Sequence, residues 1–248
     1  MPLPVLSPSP ELSRPPLSEA DREQIAADLR RLGGGDVRFD RHNRLLYATD
    51  ASLYQVEPIG VFIPSSIDCV GPMLAYCAAR GVAVLPRGGG TSLAGQCTNA
   101  AVVIDLSAAC RRVLSVNVAT RRCRVEPGIG IDQLNRELEA RKTGLFFAPD
   151  PATVAQAAIG GCIGNNAAGA RSIRYGRTSE NLAGVDVFLS GGERVWLGPG
   201  AGRLSPIARR LAGKVAGVAR EHADEIRRRF PKLIRRNAGY GLDRKSVV

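Results

Sequence analysis

The chain has 248 residues, 44% of them apolar and 23% charged, and a formal net charge of +11. That length and balance can bury a sizeable core, as one large domain or two small lobes. No apolar run approaches the ~18 residues needed to span a bilayer, and the N-terminal MPLPVLSPSPELSRPP has neither the basic n-region nor the apolar h-region of an export signal. The expected location is the cytoplasm, with peripheral attachment to the inner membrane left open for a longer protein.

Residues 1–16 carry six prolines and are expected to form a disordered arm. LSEADREQIAADLRRLGGG then reads as a helix in a segment spanning 17–39. Ser18 and Asp21 form a capping pair, Ile25, Leu29 and Leu32 share a face, and the glycines from Gly33 end it. GVFIPSS predicts a short strand, IDCVGPMLAYCAARG a helix stopped at Gly81 with Pro72 early in it, and VAVLP a second strand. Strand, helix, strand at this spacing is a βαβ unit. The glycine loop that follows therefore lies at the carboxyl end of a parallel strand, where ligands of open sheets bind.

AVVIDLS is a further strand, and VLSVNVATRRCRVEPGI holds two alternating runs around a polar turn, an expected antiparallel hairpin. The architecture thus changes near residue 110. IDQLNRELEARKTG predicts a helix with Ile131, Leu134 and Leu138 on one face and Gly144 as its stop. VDVFLSGGERVWLG predicts a second hairpin turning at Gly191 and Gly192. Residues 205–230 form the most regular pattern, one helix with Ser205 as cap, Pro206 in its first turn, an apolar stripe through Ile207, Leu211, Val215, Val218, Ile226 and Phe230, and Pro231 as its end.

The charge is local. Between Arg203 and Arg236 eleven Lys/Arg face three acids, which gives +8 of the total +11. No series of aromatic residues interleaves with these charges as a base-stacking platform requires, so a solvated face or a missing acidic partner is expected in place of nucleic acid. The six cysteines (Cys69, Cys77, Cys97, Cys110, Cys123, Cys162) include no C-x-x-C pair, and they are expected as small buried hydrophobes. The two histidines, His42 and His222, are too few and too far apart for a His-rich metal site, and His222 is expected on a helix surface.

PRGGGTSLAGQ, residues 86–96, places three glycines in a row. Adjacent glycines maximise the entropic cost of ordering, so they suggest backbone N–H groups converging on an anion with no Cβ in the way. The spacing fits neither a P-loop nor a dinucleotide fingerprint, which would need glycine where Leu93 stands. AIGGCIGNNAAGARSIRYG, residues 158–176, reads as a second loop of the same character. Two such loops imply a long ligand held between two lobes.

In order, YATDASLYQVEP, PRGGGTSLAGQ, VEPGI, APDPAT, IGGCIGNNAAG and RYGRTSENL resemble the FAD-binding (PCMH-type) domain of the vanillyl-alcohol-oxidase flavoproteins. Within that superfamily the chain is similar to the D-2-hydroxy-acid dehydrogenase branch, over roughly residues 40–240. The resemblance implies an α+β fold of two subdomains, 40–110 and 111–202, with FAD in the cleft between them and a C-terminal helix after them. By that analogy Arg87, Gly88, Gly89, Gly90, Thr91 and Ser92 wrap the pyrophosphate. Pro149, Asp150, Gly160, Gly161, Ile163, Asn166, Gly169, Tyr175 and Gly176 line the rest of the dinucleotide and approach the flavin ring. Some members tether FAD through a histidine in the first loop. Thr91 and Ser92 occupy that neighbourhood here, so a non-covalent flavin is expected.

The resemblance also implies oxidation of a 2-hydroxy acid such as lactate, glycolate or 2-hydroxyglutarate to the 2-oxo acid, with electrons leaving to a separate acceptor or an iron–sulfur partner. An iron–sulfur cluster could lie only in missing segments or in that partner, and no metal site is expected in this chain. The catalytic residues of such enzymes lie in cap and C-terminal segments rich in His and Arg, which this sequence lacks. Residues 203–242 therefore read as a helix and the start of an absent substrate domain. DRKSVV, residues 243–248, can be encoded by a common sequencing-adapter string and is expected to be non-native. The alternatives are an FAD-dependent oxidase of another alcohol or a sugar lactone, or a non-catalytic basic module for nucleotides or nucleic acid.

Overall fold

A computed structural model describes residues 17–199, 205–233 and 241–242. The expected proline-rich arm, the tail after Asp243 and most of RRNAGYGLD lie outside the described residues. The fold is α+β, as expected.

Helix α1 (Glu19–Leu32) starts where the sequence says it should. The Ser18 hydroxyl accepts the Asp21 N–H at 3.1 Å while the Asp21 carboxylate accepts the Ser18 N–H at 3.3 Å, a reciprocal cap worth about 1 kcal/mol. Ile25, Ala26 and Leu29 are buried beneath it. Leu32 is 45% exposed, because Gly33 ends the helix there, past the edge of the core.

The first sheet has the order β1 (Gly35–Arg38), β2 (Gly60–Pro64), β4 (Val102–Asp105), β3 (Val84–Arg87). Strands β2, β4 and β3 run parallel, and β1 is an antiparallel edge. The expected βαβ crossover is present. A short 3₁₀ turn, Ile67–Cys69, leads into α3 (Val70–Ala79), so the α-helix opens three residues later than the pattern implies. All four residues of β4 are buried, in keeping with a central parallel strand covered on both faces. Phe62, Met73, Cys77, Ile25 and Leu29 meet in one core, so α1 and β1 belong to the same body as the sheet. Neither β1 nor helix α2 (Arg41–Leu46) was anticipated. Four residues are too few to show a period, and Leu45 and Leu46 of α2 are exposed, leaving the Asp40 cap on the Asn43 N–H as its clearest local signal.

The second body carries the hairpin β5 (Val113–Asn117) and β6 (Arg122–Val125), then α4 (Ile131–Ala140) with Ile131, Leu134 and Leu138 buried as expected. The second glycine-rich stretch is not a loop throughout. Ile159–Gly164 is a short helix, α5, whose Ile159 and Cys162 anchor it in the second core, and Ser172–Tyr175 is a further turn of helix, α6. Strands β7 (Val185–Phe188) and β8 (Arg194–Leu197) form the second expected hairpin.

The expected single helix at 205–230 is two. Helix α7 (Pro206–Glu221), capped by Ser205, stops at His222, and α8 (Ala223–Arg229) begins anew. Asp224 and Glu225 fall in the first turn of α8, where acids complement the N-terminal end of the helix dipole. Ile207 and Ala208 pack on the β7–β8 hairpin, whereas Val218 further along the stripe is 44% exposed. In α8, Arg227 pairs with Asp224, and Arg228 and Arg229 pair with Glu225. Among the described residues no helix is long and apolar enough to cross a membrane.

Candidate functional site

The glycine loop leaves the carboxyl end of β3, as the topology requires. Gly89 is pressed onto the segment that precedes α5, so that a Cβ there would collide with the carbonyl oxygen of Gln156. A Cβ on Gly88 would lie 2.8 Å from that of Ala158. At Gly90 the backbone is left-handed, φ +64, and a Cβ would come within 2.6 Å of the Arg87 guanidinium. The three glycines thus have a packing cause that sequence reasoning did not supply: the loop is clamped between the second body and its own arginine.

What the loop presents is nevertheless polar. Among the described residues no protein acceptor meets the N–H groups of Gly88, Gly89, Gly90 or Thr91. The loop then closes on itself through Ser92, whose hydroxyl pairs with Gln96 Oε1 and accepts the Gln96 N–H at 3.2 Å. Gln96 Nε2 donates to Asn165 Oδ1 at 3.2 Å, tying the loop tip to the end of α5.

Helix α5 is fixed from behind. The Ile159 N–H donates to Ile129 O at 2.9 Å and the Gly160 N–H to Pro127 O at 2.8 Å, and Gly160 packs directly on Pro127. Gly161 and Gly164 are different, because a Cβ on either would meet nothing within 4 Å. Backbone N–H groups without a protein acceptor and glycines with open Cβ positions have the chemistry that suits an anion such as the pyrophosphate of FAD.

The other expected site residues gather nearby. Asn166 is left-handed, φ +47, and its side chain accepts the Ser179 N–H at 3.0 Å. Gly169 is pressed onto the backbone of Asp150, whose carboxylate accepts the Arg171 N–H at 2.8 Å. Pro149 is buried. The Tyr175 ring stands edge-on to Phe146 with centroids 5.6 Å apart, and Gly176 makes a left-handed turn after it. Gly88 and Gly89 lie against Gln156–Ala158, the segment that leads into Gly160 and Gly161, and Gly169 lies against Asp150, with Ile163 and Asn166 between Gly161 and Gly169 in the chain.

Sequence reasoning missed the layer behind the loop. The Tyr47 hydroxyl donates to Asp105 Oδ2 at 2.6 Å, and Asp105 Oδ1 accepts both the Ser107 N–H and its hydroxyl. Burial pushes the Tyr47 phenol up to about 12, helped by Asp105. Burial works against the Asp50 carboxylate too, but Ser52, the Cys97 N–H and the Arg87 charge outweigh it and hold the group below the usual carboxylate range. Of the cysteines, Cys77, Cys110 and Cys162 are buried as expected, Cys69 and Cys97 are partly so, and Cys123 is exposed. His42 and His222 are both exposed, and among the described residues no cluster of His, Cys, Asp or Glu could hold a metal ion.

Residues 58–198 match the FAD binding domain family. The D-2-hydroxyglutarate dehydrogenase of Pantoea ananatis is 34% identical over 218 residues, 84% of this chain and 21% of that protein. The glycolate oxidase subunit GlcD of Bacillus subtilis is 32% identical over 168 residues, 66% of this chain and 35% of that protein. Among solved structures, an alkyldihydroxyacetonephosphate synthase superposes with a TM-score of 0.65 at 20% identity, covering 76% of this chain and 36% of the other, which shows a shared fold. The chain therefore spans about a fifth of the length of the dehydrogenase it matches. By its match over residues 58–198, the chain belongs to the FAD binding domain family.

Proposed function

We propose that this chain is the FAD-holding part of an oxidoreductase that converts a D-2-hydroxy acid to the corresponding 2-oxo acid. The observation that carries the proposal is the run of unclaimed N–H groups from Gly88 to Thr91, on a loop packed against the segment that leads into α5. Four donors in one curve offset the charge of a pyrophosphate without a lysine or a metal ion from this chain. Gly160, Gly161, Ile163 and Asn166 extend that surface, and Pro149, Asp150, Gly169, Tyr175 and Gly176 border its adjoining end. Thr91 and Ser92 stand where a covalent tether would need a histidine, so the flavin is held non-covalently.

The reaction class follows the names of the relatives, a D-2-hydroxyglutarate dehydrogenase and a glycolate oxidase subunit. When bound, FAD supplies the two-electron acceptor for the hydrogen on the substrate's α-carbon. The chain's own part is to position the dinucleotide. His42 and His222 are exposed and are not among the residues proposed to line the dinucleotide, so neither is assigned as the base for the hydroxyl proton. A separate electron acceptor or an iron–sulfur partner completes the turnover.

The test is anaerobic addition of D-2-hydroxyglutarate, D-lactate or glycolate to the FAD-loaded longest polypeptide that carries this sequence. Bleaching of the flavin band near about 450 nm by one of them supports the proposal. Bleaching only by a sugar lactone or a simple alcohol would move the protein to another substrate class.

A further inference from the structure

The loop's N–H groups can serve an anion only if something holds the glycines in one curve, and glycine itself resists being held. The holding group is the side chain of Arg87, the last residue of β3. Its Nη1 donates to Tyr47 O and to Cys97 O, both at 3.2 Å, and its Nη2 donates to Thr49 O at 2.9 Å. Three of the five guanidinium donors are thereby committed to carbonyls. The Tyr47 ring packs against the guanidinium at 5.3 Å, and the Tyr47 hydroxyl is itself anchored on Asp105.

The tie is returned from the other side. Asp50 accepts the Cys97 N–H at 3.1 Å and the Ser52 N–H at 2.9 Å, so residues 47–52 and the end of the glycine loop are joined directly by the Cys97–Asp50 bond as well as through Arg87. The guanidinium lies inside the curl, close enough that any Cβ on Gly90 would reach it.

We infer that Arg87 is a positioning residue: its guanidinium is the peg around which Gly88–Cys97 is wound, and it shapes the phosphate-facing N–H groups through three carbonyls without lending its charge to the phosphates. This rests on the proposed FAD role of the loop. It separates the arginine from the six residues, Arg87 to Ser92, that the family resemblance groups together. A lysine cannot take the place of such a peg, because one ammonium on a flexible stem cannot span three carbonyls in a fixed fork.

The test compares Arg87→Lys with the unaltered full chain in two measurements. FAD dissociation is followed by flavin fluorescence between about 0.05 and about 0.5 M NaCl, a range over which exposed charge contacts become screened. Amide hydrogen exchange is followed on the same proteins without FAD. The peg predicts FAD binding weakened at least about tenfold by Arg87→Lys despite the retained charge, with an unchanged dependence on salt. It also predicts faster exchange in residues 47–56 and 90–97 of the FAD-free chain. Wild-type affinity in Arg87→Lys, or a weaker salt dependence in the variant, would make the residue a charge ligand and overturn the inference. Unchanged exchange in both segments would overturn it whatever the affinities. The exchange arm needs no cofactor, so failure of the unaltered chain to bind FAD would count against the proposed function and leave the peg to be decided by exchange. Tyr47→Phe, which keeps the ring and the carbonyl but loses the Asp105 tie, should give a smaller change in the same two segments.

Discussion

Gly89 lies directly on the carbonyl of Gln156, with no room between them for a single carbon atom. This contact joins the loop that follows the parallel sheet to the segment that enters α5, the two segments proposed to hold the dinucleotide. Replacing Gly89 by Ala must push the two bodies apart or bend the loop. The expected cost is about 1–3 kcal/mol of stability, together with loss of FAD affinity, read by thermal melting and by flavin fluorescence on one preparation.

Gly161 is the matching control. Its Cβ position is open, and within a helix alanine is favoured over glycine by up to about 1 kcal/mol. Gly161→Ala should therefore melt no lower than the unaltered chain yet bind FAD at least about tenfold more weakly, a loss of about 1.4 kcal/mol. Unimpaired binding would mean that the open face of α5 is not where the cofactor sits.

The Glu126 carboxylate accepts the Arg112 N–H at 2.8 Å and its guanidinium at 2.7 and 3.1 Å. The Arg112 side chain, aided by its backbone N–H, outweighs burial and holds the group below its ordinary value of 4.5. A lowered folded value stabilises the native chain fully above pH 4.5, and that contribution fades as the pH falls through the folded value. Glu126→Gln should lower stability near neutral pH by about 1–2 kcal/mol and flatten the decline of the melting temperature on the acid side. Acid profiles that stay parallel would assign the decline to other carboxylates.

Burial pushes the thiols of Cys77, Cys110 and Cys162 up to about 11. Hydrogen bonds from Ser66 and Ser65 instead lower that of Cys69, which is only partly buried. Because the thiolate is the reactive form, native alkylation near neutral pH followed by mass spectrometry should label Cys69 well before those three. Equal labelling would show that the buried surroundings of all three open on the timescale of the reagent.

Much of this was legible in the chain because it is local. The Ser18 cap, the buried face of α4, the two hairpins and the βαβ unit each rest on periods or caps within some twenty residues. The break at His222 was not legible, since the apolar stripe runs on across it and only Asp224 and Glu225 mark a new helix start. At the site, the glycines announced a close approach, but whether to an anion or to protein depends on Gln156 and Ala158, nearly seventy residues away. The Arg87 peg was hidden for the same reason, its acceptors being main-chain carbonyls at 47, 49 and 97, which any residue type could supply.

The central claim is that this chain by itself forms a binding surface for FAD, and it is tested most directly by titrating the purified, flavin-free chain with FAD in a calorimeter. The account predicts saturable binding of one FAD per chain, displaced by ADP through the shared pyrophosphate but not by riboflavin, with all flavin released on acid precipitation. No heat of binding from a folded chain, or flavin left attached to the precipitate, would contradict it.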